Sequence, residues 1–209
     1  MDHQQRHKRL RLLTSKLNKE RKQQAKRIDI LCHDLIAAQR DFIGKLNAIS
    51  FAANFYESII GQADLSQLLH TASQFIKEEI PGANVTFFLR QAESFELHMF
   101  EADKPIAIAK HRLENYFSAE LVEQICKSNK LCTVDDMFAM GLQGNLVSLN
   151  SISAVTIPLG DLRQSCGFIL IYRPSEQKFT ADELSTISAV RTGLSRAIKA
   201  CQVLLHPAD

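Results

Sequence analysis

The sequence contains no tryptophan, and glycine and proline are scarce in its first third. The first glycine is Gly44 and the first proline is Pro81. Roughly sixty N-terminal residues therefore contain almost none of the usual helix breakers. This scarcity predicts one long N-terminal helix.

Long apolar runs are also missing. None approaches the ~18 residues that a membrane-spanning helix needs, and the first residues, MDHQQRHKRLRLL, lack the apolar stretch of a signal peptide. We therefore expect no membrane span and a cytoplasmic location. The hydrophobic content of 45% is enough for a core and excludes disorder of the whole chain.

The five cysteines are odd in number and include no C-x-x-C pair. We expect reduced thiols that pack as small apolar groups. No cluster has the spacing of metal ligands, and no glycine-rich loop could cradle a phosphate. No metal and no cofactor are predicted, and the nature of any ligand stays open as an unidentified small molecule.

Charge is distributed unevenly along the chain. Up to Arg27 there are ten basic and two acidic side chains, a formal charge of +8, whereas the remaining 182 residues carry 15 basic and 21 acidic ones, or −6. We call residues 6–27 the basic arm. One interpretation is that the arm contacts the phosphates of nucleic acid or of another anionic surface; the favoured one is a solvated start to the helix.

Apolar residues beyond the arm recur every seven positions, as is typical of a coiled coil. One row is Ile28, Leu35, Phe42, Ile49 and Tyr56, and its companion is Leu31, Ala38, Lys45, Ala52 and Ile59. Because only a partner helix can bury so narrow a stripe, we expect a homodimer through Ile28, Leu31, Leu35, Phe42, Ile49 and Tyr56. The alternatives are a four-helix arrangement and a long helix folded back on its own domain.

After residue 60 the pattern becomes that of a mixed α and β domain, so the predicted domains are 1–60, the arm and coil, and 63–205. Short alternating strands joined by turns, with helices before and after them, predict an α+β fold with an antiparallel sheet and flanking helices. The predicted elements are a helix capped by Asp64, a hairpin of 84–90 and 95–101, a helix capped by Ser118, a strand LCTVDD, a loop 137–151, strands SISAVTIPLG and CGFILIYRP, and a helix from Thr180.

Four segments in this order resemble a GAF domain, the small-molecule-sensing module of many signalling proteins. They are LSQLLHTASQFIKEEIPGANVTFFL, LCTVDD, SAVTIPLGDLRQSCGFILIY and FTADELSTISAVRTGLSRAI, and the resemblance covers about residues 63–205. It implies a sensor domain beside a coiled-coil helix that passes ligand-driven changes to an output partner. A GAF-like fold used only for assembly is the alternative.

Comparison with the family's motifs disfavours three of its known functions: cyclic-nucleotide binding, covalent bilin attachment and methionine sulfoxide reduction. The cyclic-nucleotide signature of the family is only approached, because two residues rather than three separate Phe179 from Asp182. No cysteine of the domain is followed by histidine, as bilin attachment usually requires. The loop 137–151 lacks the cysteine of the family's methionine sulfoxide reductases.

Candidate ligand-binding residues follow from position in a GAF-like pocket, between the sheet and the loop 137–151. They are Phe88, His98, Asp135, Met137 and Met140. We expect an apolar or collapsed pocket rather than a site for a polyanion.

We therefore predict a non-enzymatic, homodimeric regulatory protein that signals to a separate partner. Two weaker alternatives involve chemistry. One is a thiol redox activity at Cys126 or Cys132. The other is phosphorylation of His33, which lies in an H-D-L sequence but lacks the basic residue and proline that usually follow.

Overall fold

A single long helix, α1 (His3–Ile59), forms the N-terminal part of the computed structural model, as the scarcity of glycine and proline predicts. The residues that the structure describes are 3–91, 94–101, 115–143, 151–161 and 164–205. The chain divides into two units, Met1–Leu46 and Asn47–Asp209. Within the described residues, no helix is both long enough and apolar enough to cross a membrane.

The first unit consists of the exposed part of α1, in which every side chain from residue 4 to residue 43 is exposed. The apolar heptad residues are included: Leu35 is 69% exposed and Phe42 is 61% exposed. Exposed apolar side chains in a regular stripe require another surface to cover them.

The second unit is built on a five-stranded sheet in which every neighbouring pair is antiparallel. Its spatial order is β2-β1-β5-β4-β3. The strands are β1 (Asn84–Gln91), β2 (Ser94–Phe100), β3 (Cys132–Thr133), β4 (Ile152–Asp161) and β5 (Gln164–Pro174).

Among the described residues, the unit also has the helices α2 (Leu65–Glu79), α3 (Ala119–Ser128), α4 (Val134–Ala139) and α5 (Ala181–Leu205). Their starts are fixed by capping side chains, since the first backbone N–H groups of a helix lack partners within it. The carboxylate of Asp64 accepts a hydrogen bond from the backbone of Gln67, and the Ser118 hydroxyl accepts one from Leu121. Thr180 and Glu183 form a reciprocal capping box at α5.

The sheet separates two apolar cores because its side chains alternate between faces. The end of α1, α2 and α5 cover one face, where the odd-numbered residues of β1, β4 and β5 are buried. On the other face, α3 and α4 pack against the even-numbered residues of β1 and β5. The predicted antiparallel sheet with flanking helices is therefore confirmed.

Gly167 in β5 lies against the backbone of Phe88 in β1. It has a φ of +134°, and a Cβ placed there would lie 1.8 Å from the carbonyl oxygen of Phe88. Only glycine fits this position, which lies next to the irregularity in β4–β5 pairing between Leu159 and Gly160.

The structure differs from the sequence prediction at the segment LCTVDD. Only Cys132 and Thr133 form a strand, and the next residues begin α4. Thr133 and Asp136 form a capping box that starts this helix. The predicted loop 137–151 therefore begins inside α4, while its residues 144–150 lie outside the described residues.

Candidate functional site

Three phenylalanine rings fill one end of the sheet face that α3 and α4 cover. Phe88 and Phe168 are directly paired across β1 and β5, and their rings stack with centroids 4.4 Å apart. The ring of Phe117 lies 4.9 Å from that of Phe88. This aromatic cluster leaves Phe88 only 1% exposed, so its side chain is part of the core.

The other end of the same face has both polar and apolar side chains. The polar ones are Asn84, Thr86, Thr156 and Tyr172, all buried, and Ala154 and Leu170 lie beside them. Burial raises the pKa of Tyr172 to about 12, with a further increase from the Glu101 carboxylate and a smaller decrease from the neighbouring Thr86 hydroxyl. Tyr172 is therefore a neutral hydroxyl at physiological pH, able to donate or accept a hydrogen bond.

Two of the predicted site residues, Met137 and Met140, belong to the helical layer that covers this face of the sheet. Met137 of α4 is 1% exposed and belongs to the same core as Phe88, and Met140 packs against it. The structure thus brings Phe88, Met137 and Met140 together. Their sulfur and aromatic atoms form a closed apolar interior in the described residues.

His98 does not join them, which corrects the grouping made from the sequence. Directly paired residues of an antiparallel ladder share a face, and His98 pairs with Phe87 whereas Phe88 pairs with Leu97. The His98 ring therefore lies on the opposite face from Phe88. Its Nε2 atom lies 3.5 Å from a carboxylate oxygen of Glu96.

Asp135 lies in a separate cleft of about 460 Å³ between α4, the start of β4 and the approach to α5. The lining includes the aromatic rings of Phe138 and Phe179, the ammonium-bearing Lys178, and Leu184. Hydroxyl side chains of Thr133, Ser153 and Ser175 also line it. A surface with both charges, hydroxyls and aromatic rings suits a small polar organic molecule.

A buried ion pair fixes one wall of this cleft. Arg173 donates two hydrogen bonds of 2.9 Å to the Glu183 carboxylate and others to the carbonyls of Gln177 and Lys178. Its guanidinium also lies 4.5 Å from the ring centroid of Phe179. Arg173, which the sequence analysis did not single out, thus ties the segment before α5 to the helix itself.

The pKa of Glu183 reflects this arrangement. Burial acts to raise it, but hydrogen bonds from Arg173 and Thr180 outweigh burial and hold the pKa below its usual value. Glu183 is therefore a carboxylate at neutral pH. The T-x-x-E pattern predicted its capping role, whereas the pairing with Arg173 has no local sequence signal.

The predicted dimerisation residues divide into two groups. The first five are exposed in the single chain: Ile28, Leu31, Leu35, Phe42 and Ile49. Tyr56 packs against the core of the second unit, and its hydroxyl donates a 2.8 Å hydrogen bond to the carbonyl oxygen of Ala189 in α5. We therefore correct the assignment of Tyr56, whose ring is occupied within its own chain.

The space for this ring comes from a glycine in α5. A Cβ on Gly193 would lie 2.1 Å from Cε1 of Tyr56, so a larger residue would displace the ring. Glycine in a helix interior ordinarily costs about 1 kcal/mol relative to alanine. A glycine inside α5 is thus a feature of the sequence that points to this contact. The heptad pattern instead placed Tyr56 in the dimer interface.

The cysteines are all free thiols, and only Cys32 is exposed. Burial raises the pKa of Cys126 and of Cys201, and it raises that of Cys166 to about 11. His33 is exposed on α1, with Nδ1 2.7 Å from the carbonyl oxygen of Asp29. Among the described residues, no group of three or more His, Cys, Asp or Glu side chains could hold a metal ion.

No protein-family model matches the sequence, and none of the curated proteins matches it. Solved structures do match. The GAF domain of a phosphoenolpyruvate-protein phosphotransferase from Coxiella burnetii is 12% identical, with a TM-score of 0.56 over 78% of this chain and 98% of that chain. The GAF domain/HD domain protein from Geobacter sulfurreducens is 11% identical, with a TM-score of 0.52 over 69% and 98%.

A methyl-accepting chemotaxis protein, residues 122 to 287, matches at 15% identity and a TM-score of 0.53, over 73% of this chain and 99% of that one. At these identities the likeness is one of fold. The chain therefore contains a domain with the GAF fold, as the resemblance in sequence predicts.

Proposed function

We propose that the protein is a non-enzymatic, homodimeric regulator whose GAF-fold unit senses a small molecule and signals through α1 to a separate partner. The observation that carries this proposal is the continuity of α1. Its apolar rows are exposed between Ile28 and Ile49, and its last turns, with Phe55 and Ile59, are buried in the core of the second unit. One helix thus contains both residues of the sensor core and the exposed apolar rows for which we propose a partner helix.

The cleft is the proposed ligand site, because its lining connects two elements. Asp135 and Phe138 belong to α4, and Leu184 belongs to α5. One turn and a half further along α5, the carbonyl of Ala189 accepts the hydrogen bond from Tyr56 of α1. A ligand that shifts α5 would therefore act directly on the end of α1.

The experiment is thermal unfolding in the presence of a panel of small organic acids, amino acids and nucleotides. A ligand that binds only the folded state raises the melting temperature, by an amount set by its concentration relative to Kd. We expect at least one compound to do so, and we expect Asp135→Asn to reduce the shift. Glu120→Gln, an exposed acid on α3 outside the cleft, is the matched control.

One observation favours a second function, that of an assembly module without a ligand. The stack of Phe88, Phe117 and Phe168 fills one end of the sheet face. If no compound raises the melting temperature, the sensor proposal fails and the assembly function replaces it.

The absence of thiol catalysis is part of the proposal and has its own physical support. A nucleophilic cysteine needs a thiolate, and burial raises the pKa of Cys126 instead of lowering it. Cys132 is also buried, 2% exposed. A phospho-acceptor role for His33 has support only from its exposure.

A further inference from the structure

The basic arm presents a set of cations that has no role in the GAF-fold unit. All ten basic side chains from Arg6 to Arg27 are exposed, and none forms an ion pair with another described residue. Glu20 is the single acidic residue among positions 6–27. Unpaired cations concentrated in this way attract a polyanion.

The helix arranges most of these charges on one side. At 3.6 residues per turn, eight of the ten fall within an arc of about 160° that extends along about 28 Å of helix. The eight are Lys8, Arg9, Arg11, Lys16, Lys19, Lys22, Lys26 and Arg27. The apolar residues Leu10, Leu13 and Leu17 lie on the opposite side, with Leu10 and Leu17 in the seven-residue row that continues at Leu31, whereas Leu12 lies within the basic arc.

Three polyanions could bind the arm: an anionic bilayer, single-stranded nucleic acid and a nucleic-acid duplex. The composition of the arm bears on the choice among them. Residues 18–27, NKERKQQAKR, contain no apolar side chain larger than that of Ala25, so this half of the arm could bind a bilayer only by charge, and the leucines that could insert lie within residues 10–17. The arm also has no aromatic residue, since the first is Phe42, and single-stranded nucleic acid is usually held by stacking on aromatic rings. A duplex needs neither feature, because its phosphates are bound by charge alone.

We propose that the basic arm binds the phosphate backbone of double-stranded nucleic acid without sequence preference. A basic helix that continues without interruption into a heptad-patterned helix is a layout that can cross a duplex groove. The amide side chains among the basic residues, Asn18, Gln23 and Gln24, add hydrogen-bonding groups for phosphate oxygens. This inference does not depend on the ligand site of the second unit.

The test uses the full chain and a fluorescent, mixed-sequence DNA duplex of about 20 base pairs, with the Kd measured by anisotropy at rising salt concentrations. Each neutralised phosphate contributes a slope of about −0.9 to log K against log salt. We expect the triple variant Lys19→Gln, Lys22→Gln, Lys26→Gln to make this slope shallower by about 2 to 3 and to weaken binding at low salt at least about tenfold.

The matched control removes three exposed cations from the second unit, as Lys127→Gln, Lys130→Gln, Arg196→Gln, all outside the cleft. Circular dichroism checks that both triple variants keep the helix content of the parent chain. The proposal is supported if the arm variant alone loses affinity. It is overturned if the duplex does not bind, if the arm variant binds as tightly as the parent, or if both triples lose affinity equally. Binding to phosphatidylserine vesicles without binding to the duplex also overturns it.

Discussion

The two halves of the heptad repeat in α1 look alike in sequence and differ completely in their surroundings. From Ile28 to Ile49 the row residues are exposed, by 59% at Ile28 and 66% at Ile49. One heptad later, Tyr56 is hydrogen-bonded to α5, and its neighbour Phe55 is fully buried. A seven-residue repeat reports that a helix has an apolar stripe, but it does not report which surface covers each part of it.

This difference in exposure gives the two halves of the heptad repeat distinct structural roles. The last turns of α1 belong to the second unit, Asn47–Asp209, and pack into its core. The preceding turns lack any covering surface in the described chain. The boundary between the two units therefore falls within α1, which continues across it without a break.

The largest expected difference in stability is between two variants that each remove one phenylalanine, one from each half of the repeat. Phe55→Ala is expected to lower the free energy of unfolding of the second unit by about 3 to 5 kcal/mol, because it removes a fully buried ring. Phe42→Ala is expected to change it by less than about 0.5 kcal/mol, because that ring is exposed in the chain. The three tyrosines all lie in the second unit, so tyrosine fluorescence follows its unfolding. Similar losses for both variants would remove the distinction.

Acid is expected to act on the second unit through Glu183. Since its pKa in the fold lies below the usual value of 4.5, the ion pair stabilises the fold fully above that value and loses its contribution as the pH falls through the lowered pKa. At pH 7, Glu183→Gln is expected to cost about 2 kcal/mol. Denaturant unfolding of both chains should show this difference shrinking below pH 4.5.

Glu176→Gln is the matched control for this measurement, since Glu176 is exposed and close in sequence. Its stability curve is expected to follow that of the parent chain. A constant difference between parent and Glu183→Gln over the whole pH range would show that the carboxylate charge has no part in the effect.

A smaller effect is expected at the contact between α5 and the end of α1. Gly193→Ala would ordinarily stabilise a helix by about 1 kcal/mol, but here it is expected to destabilise the second unit by about 1 to 2 kcal/mol because the new methyl group displaces the Tyr56 ring. In a Tyr56→Ala background the same change should be neutral or stabilising. A double-mutant cycle on unfolding free energies measures the coupling, and additive effects would contradict the contact.

Local sequence patterns predicted most of the fold. Asp64, Ser118 and the pair of Thr180 with Glu183 marked three helix starts correctly, since capping depends on residues only three positions apart. The capping box of Thr133 and Asp136 carried the same kind of signal. The apolar and β-branched residues of LCTVDD favour a strand, and this pattern conflicts with the capping signal.

The candidate site was less predictable because it depends on register. Alternation showed that Phe95, Leu97 and Met99 share a face of β2, but only the pairing with β1 shows that Phe88 lies on that face too. The same applies to Arg173 and Glu183, which are brought together by the turn between β5 and α5. Such contacts have no signature in either segment alone.

The smallest effect concerns the thiols, which should react at different rates without a change in stability. Cys32 in the first unit is exposed and is expected to react with a thiol reagent as a free cysteine does. Cys166 in the second unit is buried, with its pKa raised to about 11, and is expected to react at least about tenfold more slowly at pH 7. Mass spectrometry of a labelling time course distinguishes the sites. A fast Cys126 or Cys132 would revive the thiol-enzyme alternative.

The most direct test of the account is the mass of the protein in solution, by sedimentation equilibrium of the full chain and of Leu35→Lys, Phe42→Lys. The account predicts a dimer, twice the chain mass of 23.5 kDa, and a monomeric variant whose second unit melts as in the parent. The control Ile30→Lys, His33→Lys, outside the two apolar rows, should remain dimeric. A monomeric parent chain, or a variant that stays dimeric, would contradict the claim that the exposed rows of α1 join two sensor units.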